Sequence, residues 1–151
     1  MKIMKIFGFV FCVFILLPTN SIYAVGNHSK EIDIMLTPDT LFFDLNNLKP
    51  GDLAIKKLKI TNSGKQDFNY ITTAKRKAGS QKLYEALLLT VNDAGGEIFN
   101  GKLGNFVKLD KREIPSKGSE ELEFIIRFPD ELGNDYQGLL AEVEFEFYAE
   151  G

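Results

Sequence analysis

The stretch GLLAEVEFEFYAEG, Gly138 to Gly151, alternates apolar and acidic residues along most of its length. Successive side chains of a β-strand point to opposite faces, so this spacing predicts a strand with one apolar face and one acidic face. The residues expected to point inward are Leu139, Ala141, Val143, Phe145 and Phe147. Those expected to face out are Glu142, Glu144, Glu146 and Glu150.

A second stretch with the same spacing is SEELEFIIRF, Ser119 to Phe128. It predicts a strand whose apolar face carries Leu122, Phe124, Ile126 and Phe128. Since these two strands have the clearest alternation in the chain, we expect the core to centre on Phe124, Ile126, Val143, Phe145 and Phe147.

Most other apolar residues also recur at a spacing of two, in EIDIML, in TLFFDL ending near Leu45, and from Phe68 to Thr73. QKLYEALLLTV predicts a short helical turn that leads into a strand, and EIFNGKLGNFVKL predicts short strands around Gly101 and Gly104. IPSKGS reads as a loop. The predicted class is therefore all-β: a two-sheet antiparallel sandwich, jelly-roll-like or Ig-like, with at most one short helix.

The stretch NNLKPGDLAIKKLKITNSGK, Asn46 to Lys65, predicts a strand between two turns. KPGD has the residue order of a type II turn. In a regular strand, Leu53 and Ile55 would point to one face, and Leu58 and Ile60 would point to the other. An extra residue between the two pairs would bring all four to the same face, which predicts a β-bulge at Lys56-Lys57. Lys57 and Lys59 then share an outer face, where lysines protect a strand edge from unwanted pairing. Glutamates of the last strand could face them across the sheet.

The amino terminus has the pattern of a secretory signal peptide, residues 1–24, with Lys2 and Lys5 before the apolar run Ile6 to Leu17. That run is too short to span a bilayer, so we expect no stable membrane span after cleavage. The mature chain, residues 25–151, is predicted to be a single β-sandwich domain that is secreted or held at the cell surface. The lone cysteine, Cys12, lies within the signal, so the mature domain has no disulfide.

Charge and motifs exclude several classes of function. Without residues 1–24 the chain has 16 basic and 21 acidic residues, since it loses two of 18 basic ones, and an acidic total argues against nucleic-acid binding. The single histidine, His28, is near the predicted terminus, and HExxH, GxSxG and P-loop motifs are absent. The acidic run Asp130 to Asp135 lacks the spacing of a calcium loop. We therefore expect no catalytic, cofactor-binding or metal-binding residues, and no enzymatic activity.

Two segments resemble the TasA/camelysin family of exported bacterial proteins. One is NLKPGD followed by a strand and TNSGK, and the other is NDYQGLLAEVEFEFYAE. The residues that carry the resemblance lie in three turn motifs: Lys49, Pro50, Gly51 and Asp52; Asn62 and Gly64; Tyr136, Gln137 and Gly138.

The resemblance implies a jelly-roll-like sandwich that assembles into extracellular fibres of the biofilm matrix. In such fibres the N-terminal segment of one subunit adds a strand to the next, and camelysin-like members carry a metalloendopeptidase label. The candidate donor strand here is the one that carries Ile32, Ile34 and Leu36. The expected partner is the protein itself, or other matrix or cell-surface proteins.

Three functions remain open at this point. The first is a self-assembling structural subunit of biofilm-matrix fibres. The second is a secreted or surface binding module that recognises a protein or glycan through loops such as Ala78 to Lys82 and Asp130 to Gly138. The third is a camelysin-like metalloendopeptidase.

Overall fold

A computed structural model describes residues 32–150, which fold into nine strands and one α-helix. The predicted signal peptide, the predicted cleavage site and His28 lie outside the described residues. The strands in chain order are β1 (Ile34–Thr37), β2 (Leu41–Leu45), β3 (Leu53–Asn62), β4 (Phe68–Gly79), β5 (Leu88–Asp93), β6 (Gly96–Lys102), β7 (Arg112–Ile114), β8 (Ser119–Arg127) and β9 (Ala141–Glu150). The helix α1 (Gln81–Ala86) lies between β4 and β5, and short 3-10 turns occupy Leu103–Asn105 and Asn134–Tyr136.

The strands form two antiparallel sheets, of order β1-β3-β8-β5-β6 and β2-β9-β4-β7. The predicted two-sheet antiparallel sandwich with one short helix is therefore confirmed. The chain changes sheets between β1 and β2, over residues 38–40. The two strands with the clearest alternation lie inside their sheets, β8 between β3 and β5, and β9 between β2 and β4.

The core lies between the two sheets, as the alternation predicts. Leu122, Phe124, Ile126 and Phe128 are all buried, and so are Val143 and Phe145. Phe147 differs from the prediction because it is only half-buried. Burial along β9 fades beyond Phe145, and the Phe147 ring packs at the margin of the core against Phe124 and Tyr70, 6.3 Å between centroids in each case.

The predicted β-bulge at Lys56-Lys57 is wrong. The register of β3 against β8 is continuous from Leu53, opposite Arg127, to Thr61, opposite Ser119. The strand keeps one phase, so Leu53 and Ile55 point to the outer face, where they are 54% and 53% exposed. The sequence pattern could not show that two apolar residues would remain on the outer face.

The lysines of β3 do not meet the glutamates of β9, because the neighbour of β3 is β8. Lys57 and Lys59 do share the outer face as predicted, and Lys57 Nζ lies 3.6 Å from Glu121 Oε1 and 3.8 Å from Glu123 Oε1, both on β8. Lys56 has the opposite orientation, and its Nζ donates a hydrogen bond to the Phe42 carbonyl in the other sheet.

The middle of the chain departs from the prediction in two places. Around Gly101 and Gly104 there is one strand, β6, followed by the 3-10 turn Leu103–Asn105, instead of several short strands. Strand β7 was not predicted, since its three residues are too few to show an alternation. The helix was predicted, and its N-cap explains its start: Ser80 Oγ accepts a hydrogen bond from the Leu83 amide.

Candidate functional site

The candidate donor strand lies at an edge of the five-stranded sheet. Strand β1 pairs with the end of β3, with Ile34 opposite Asn62 and Leu36 opposite Ile60. Ile32, Ile34 and Leu36 are partly buried and pack against the core, whereas Met35 faces out and is 53% exposed. In the monomer, therefore, this segment completes the edge of its own sheet.

The turn that follows β3 is anchored by Asn62, which is fully buried. Its side-chain amide donates to the carbonyls of Gln66 at 2.8 Å and Ile114 at 3.0 Å. Its Oδ1 accepts from the Gly64 amide at 2.9 Å, so the two residues of the predicted motif contact each other. Asn62 thereby ties the end of the strand opposite β1 to strand β7 of the other sheet.

The KPGD turn has the predicted type II form. The Asp52 amide donates to the Lys49 carbonyl at 3.0 Å, and Gly51 has a φ of 86°, which glycine adopts without strain. The Lys49 amide in turn donates to the Asp52 carboxylate at 2.8 Å. This turn sets the start of β3, including its exposed Leu53.

The YQG motif lies at the entrance to β9. Tyr136 ends the 3-10 turn Asn134–Tyr136, and Gly138 has a φ of 75°. The Gln137 side chain donates to Asn134 Oδ1 at 3.0 Å. Since Gly138 precedes β9 by three residues, the motif turns the chain into the strand that lies at the centre of its sheet.

The fold brings two of the three motifs together. A groove of about 430 Å³ is lined by Lys49 and Pro50 of the first motif and by Gln137 and Gly138 of the last, together with Asn47 and Leu48. Asn62 and Gly64 are not among its lining residues. The sequence separation of the two motifs gave no sign of this contact.

The two loops expected to bind a partner also lie side by side. Lys82 Nζ is 4.3 Å from the centroid of the Tyr136 ring and 3.9 Å from Asp135 Oδ2. Tyr136 and Leu132 border a cavity of about 240 Å³ whose other walls include Leu88 and Lys102. The Tyr136 ring, the two leucines and Lys102 give this cavity the mixed apolar and charged character of a small binding site.

A partly buried cluster of charged residues joins the two sheets. The Tyr70 hydroxyl on β4 donates to Glu120 on β8, and Arg112 on β7 pairs with Glu120 and, at 2.6 Å, with Asp93 on β5. Burial and, after it, the Glu120 carboxylate raise the pKa of Tyr70 well above its usual range. The hydrogen bond to Glu120 raises the pKa of Arg112, so both groups keep their protons.

Asp93 is held in its charged form within this cluster. The Gly95 amide donates to Asp93 Oδ1 at 2.7 Å and, together with Arg112, lowers the pKa of the Asp93 carboxyl below its ordinary value. The cluster was not predicted from the sequence. The alternation did indicate that Glu120 faces inward, since it lies two residues before the inward-facing Leu122 on the same strand.

The acidic residues do not form a metal site in the described part of the chain. Within residues 32–150, no group of three His, Cys, Asp or Glu side chains is placed to hold a metal ion. A cavity of about 400 Å³ beside the cluster is lined by Asp93, Glu113, Glu120 and Glu121, among others.

Within residues 32–150, no helix has the length and apolar character needed to cross a membrane.

Comparison with known proteins gives one family match. The family model described as camelysin metallo-endopeptidase matches residues 6–78, about half of the chain, which includes β1 to β3 and most of β4. No curated protein matches the chain. A similar solved structure is the ASH / PapD-like domain of human CEP192 (PapD-like domain 7), with 14% identity and a TM-score of 0.32 over 93% of this chain and 84% of that domain.

Proposed function

From the match of residues 6–78 to the camelysin family, we propose that the chain is a member of the TasA/camelysin family and an exported structural subunit that assembles into extracellular biofilm-matrix fibres by donation of strand β1. The observation that carries the proposal is the position of β1. It is the first strand of the described chain, it lies at a sheet edge, and its pairing covers only Lys59 to Asn62 of the ten-residue strand β3.

Exchange of β1 between copies would preserve its interactions. The β1 strand of a neighbouring copy presents the same backbone donors and acceptors to β3 and buries the same Ile34 and Leu36 side chains. The enthalpy of pairing therefore changes little when the partner changes. A high subunit concentration offsets the translational and rotational entropy that the copies lose on association. When each copy gives its strand to one neighbour and receives a strand from another, repetition of the contact produces an open filament.

The experiment compares four forms of the chain from Val25 onward: wild type, a deletion of residues 25–36, Ile34→Asp and Met35→Asp. Ile34 faces inward on β1 and Met35 faces out, so the two aspartate variants differ only in the face that receives the charge. Sedimentation and negative-stain electron microscopy detect filaments, and circular dichroism confirms that each form is folded.

We expect filaments from wild type and Met35→Asp, and none from Ile34→Asp or from the deletion. Filaments that persist in the deletion would remove strand donation as the mechanism. A wild type that stays monomeric at high concentration would instead favour a binding module.

The alternative function, a binding module, is supported by the contact between Lys82 and Tyr136 at the 240 Å³ cavity. Titration with soluble oligosaccharides, followed by NMR shifts in wild type and Tyr136→Ala, tests it. Shifts around the cavity that vanish in the variant would support this alternative, and their absence in wild type would count against a glycan ligand.

The family description raises a third activity, metallo-endopeptidase. Casein cleavage by the purified chain, lost on addition of a chelator and restored by a divalent metal, would support it. Absence of cleavage across added zinc, calcium and manganese would count against it.

A further inference from the structure

Part of strand β3 has an open edge. Strand β1 ends with Thr37 opposite Lys59, so within residues 32–150 no strand pairs with Leu53 to Leu58 on that side. The Ser63 amide donates to Asp33 on the β1 side, whereas the Asn62 amide donates to Gly118 on the β8 side. The backbone groups of successive residues point to alternate sides of a strand. Leu53 and Ile55 are separated from Ser63 by even numbers of residues, so their backbone groups also point to the β1 side, which is the open edge.

Along this edge two of the three outer-face side chains, Leu53 and Ile55, are apolar, and the third, Lys57, is held by Glu121 and Glu123 of β8. Natural proteins usually protect an open edge with lysine or proline. Here Leu53 and Ile55 are each more than half exposed, and Ile125 lies directly opposite Ile55 on β8. Lys56 does not protect the outer face, since its Nζ reaches inward to the Phe42 carbonyl.

We propose that the open edge of β3 pairs with the same edge of a second copy of this chain about a two-fold axis. The antiparallel register that fits best places Ala54 on the axis, with Leu53 of each copy opposite Ile55 of the other. Leu53 of each copy and Ile55 of the other then exchange backbone hydrogen bonds. Their exposed side chains shield one another from water.

The charged residues favour this register over registers that are shifted along the strand. With Ala54 on the axis, Asp52 of each copy lies opposite Lys56 of the other, on the same face of the sheet. A shift that places Lys56 on the axis would instead oppose two like charges, which is unfavourable. Within the paired residues 52–56 no lysine faces a lysine, and Lys57 keeps its contacts with Glu121 and Glu123.

The contact is distinct from the donation of β1. It uses residues 52–56, whereas β1 pairs with Lys59 to Asn62, so both can exist in the same molecule. A two-fold contact closes after two copies. Without strand donation, the contact therefore gives a dimer. With strand donation, it would join two filaments side by side.

Cysteine cross-linking tests the register directly. The native chain has one cysteine, Cys12, which the chain from Val25 onward lacks. Facing residues of an antiparallel non-hydrogen-bonded pair are about 4.5 Å apart at Cα, within the range for a disulfide. Ala54→Cys should form a disulfide-linked dimer, and Val107→Cys is the control for random collision, because Val107 is 78% exposed in the loop before β7.

We expect Ala54→Cys to cross-link at least tenfold faster than Val107→Cys under mild oxidation, also when Ile34→Asp is present to block strand donation. Equal rates would overturn the register. In cysteine-free protein, sedimentation should show a concentration-dependent dimer that Ile55→Lys weakens at least tenfold and Val107→Lys leaves unchanged. A monomer at all concentrations, or equal effects of the two lysine variants, would overturn the proposal.

Discussion

The Tyr70 hydroxyl donates a hydrogen bond to the Glu120 carboxylate across the interior of the sandwich, although the two residues are 50 positions apart. Tyr70 belongs to β4 in the four-stranded sheet and Glu120 to β8 in the five-stranded sheet. Arg112 balances the charge of Glu120, so the contact between the sheets is both hydrogen-bonded and paired. Several measurements can establish how much this link and its surroundings contribute to stability.

Tyr70→Phe is expected to lower the free energy of unfolding by about 1.5–3 kcal/mol, the range for a hydrogen bond to a charged group. The control is Tyr148→Phe, which removes an equivalent hydroxyl from an exposed tyrosine bonded to Glu146. That variant should leave the stability almost unchanged. Urea unfolding measures both, and equal losses would show that the link between the sheets has no special role.

Asp93→Asn tests the charged cluster through its pH dependence. The pKa of the Asp93 carboxyl is lowered in the folded chain from its ordinary value of 3.8, by the Gly95 amide and by Arg112. Its charge therefore stabilises the fold fully at neutral pH, and this contribution is lost as the pH falls through the folded pKa. Wild type should exceed the variant in stability at neutral pH, and the difference should shrink below about pH 4. A difference that is constant with pH would contradict this assignment.

Phe145→Ala is expected to cost about 3–5 kcal/mol, the range for truncation of a buried aromatic side chain. The Phe145 ring contacts Phe43, Phe106 and Phe124 at centroid distances of 5.9, 6.0 and 4.6 Å. Glu144→Ala, one residue away on the opposite face, should cost about 0.5 kcal/mol or less. Urea midpoints that identify Glu144 as the more sensitive position would contradict the inward phase of β9.

Gly79→Ala should destabilise the fold more than Gly138→Ala. Both glycines have positive φ, 83° and 75°, so alanine is strained at each by roughly 1–2 kcal/mol. At Gly79 an added Cβ would also lie 2.2 Å from the Leu140 carbonyl oxygen, whereas nothing lies within 4 Å at Gly138. Thermal unfolding compares the two variants. Similar midpoints would show that the Leu140 backbone moves at little cost.

Mass spectrometry of the exported protein tests the cleavage site. The sequence predicts that the mature chain begins at Val25, because Ala24 follows a short apolar run and the turn-forming residues PTNS. A mass that retains residues 1–24 would contradict cleavage after Ala24.

The strands and the class of fold could be predicted because strong alternation, as in β8 and β9, has a single physical explanation, a strand with one buried face. The pattern of β3 was ambiguous. A change of phase between Ile55 and Leu58 fits either a bulge or a regular strand with exposed apolar residues, and only the neighbouring strands decide. The pairing of β3 with β8 and not β9 depends on contacts distant in sequence, which alternation does not encode.

The candidate site was predictable in its local parts only. The type II turn at Lys49 and the contact between Asn62 and Gly64 follow from short-range residue preferences. The groove shared by Pro50 and Gly138, and the link between Tyr70 and Glu120, join segments far apart in the chain. The alternation of β8 places Glu120 on the inner face, but no local spacing could have paired it with Tyr70 or Pro50 with Gly138.

The central position of β9 has a consequence for the order of events during synthesis. Strands β2 and β4 each pair with β9 and have no direct pairing with each other. Until the ribosome has made β9, the four-stranded sheet therefore lacks the strand that joins its halves, and the core lacks the side chains of Ala141, Val143 and Phe145. We expect the complete sandwich to form only after β9 has been synthesised, so that folding ends close to the end of translation.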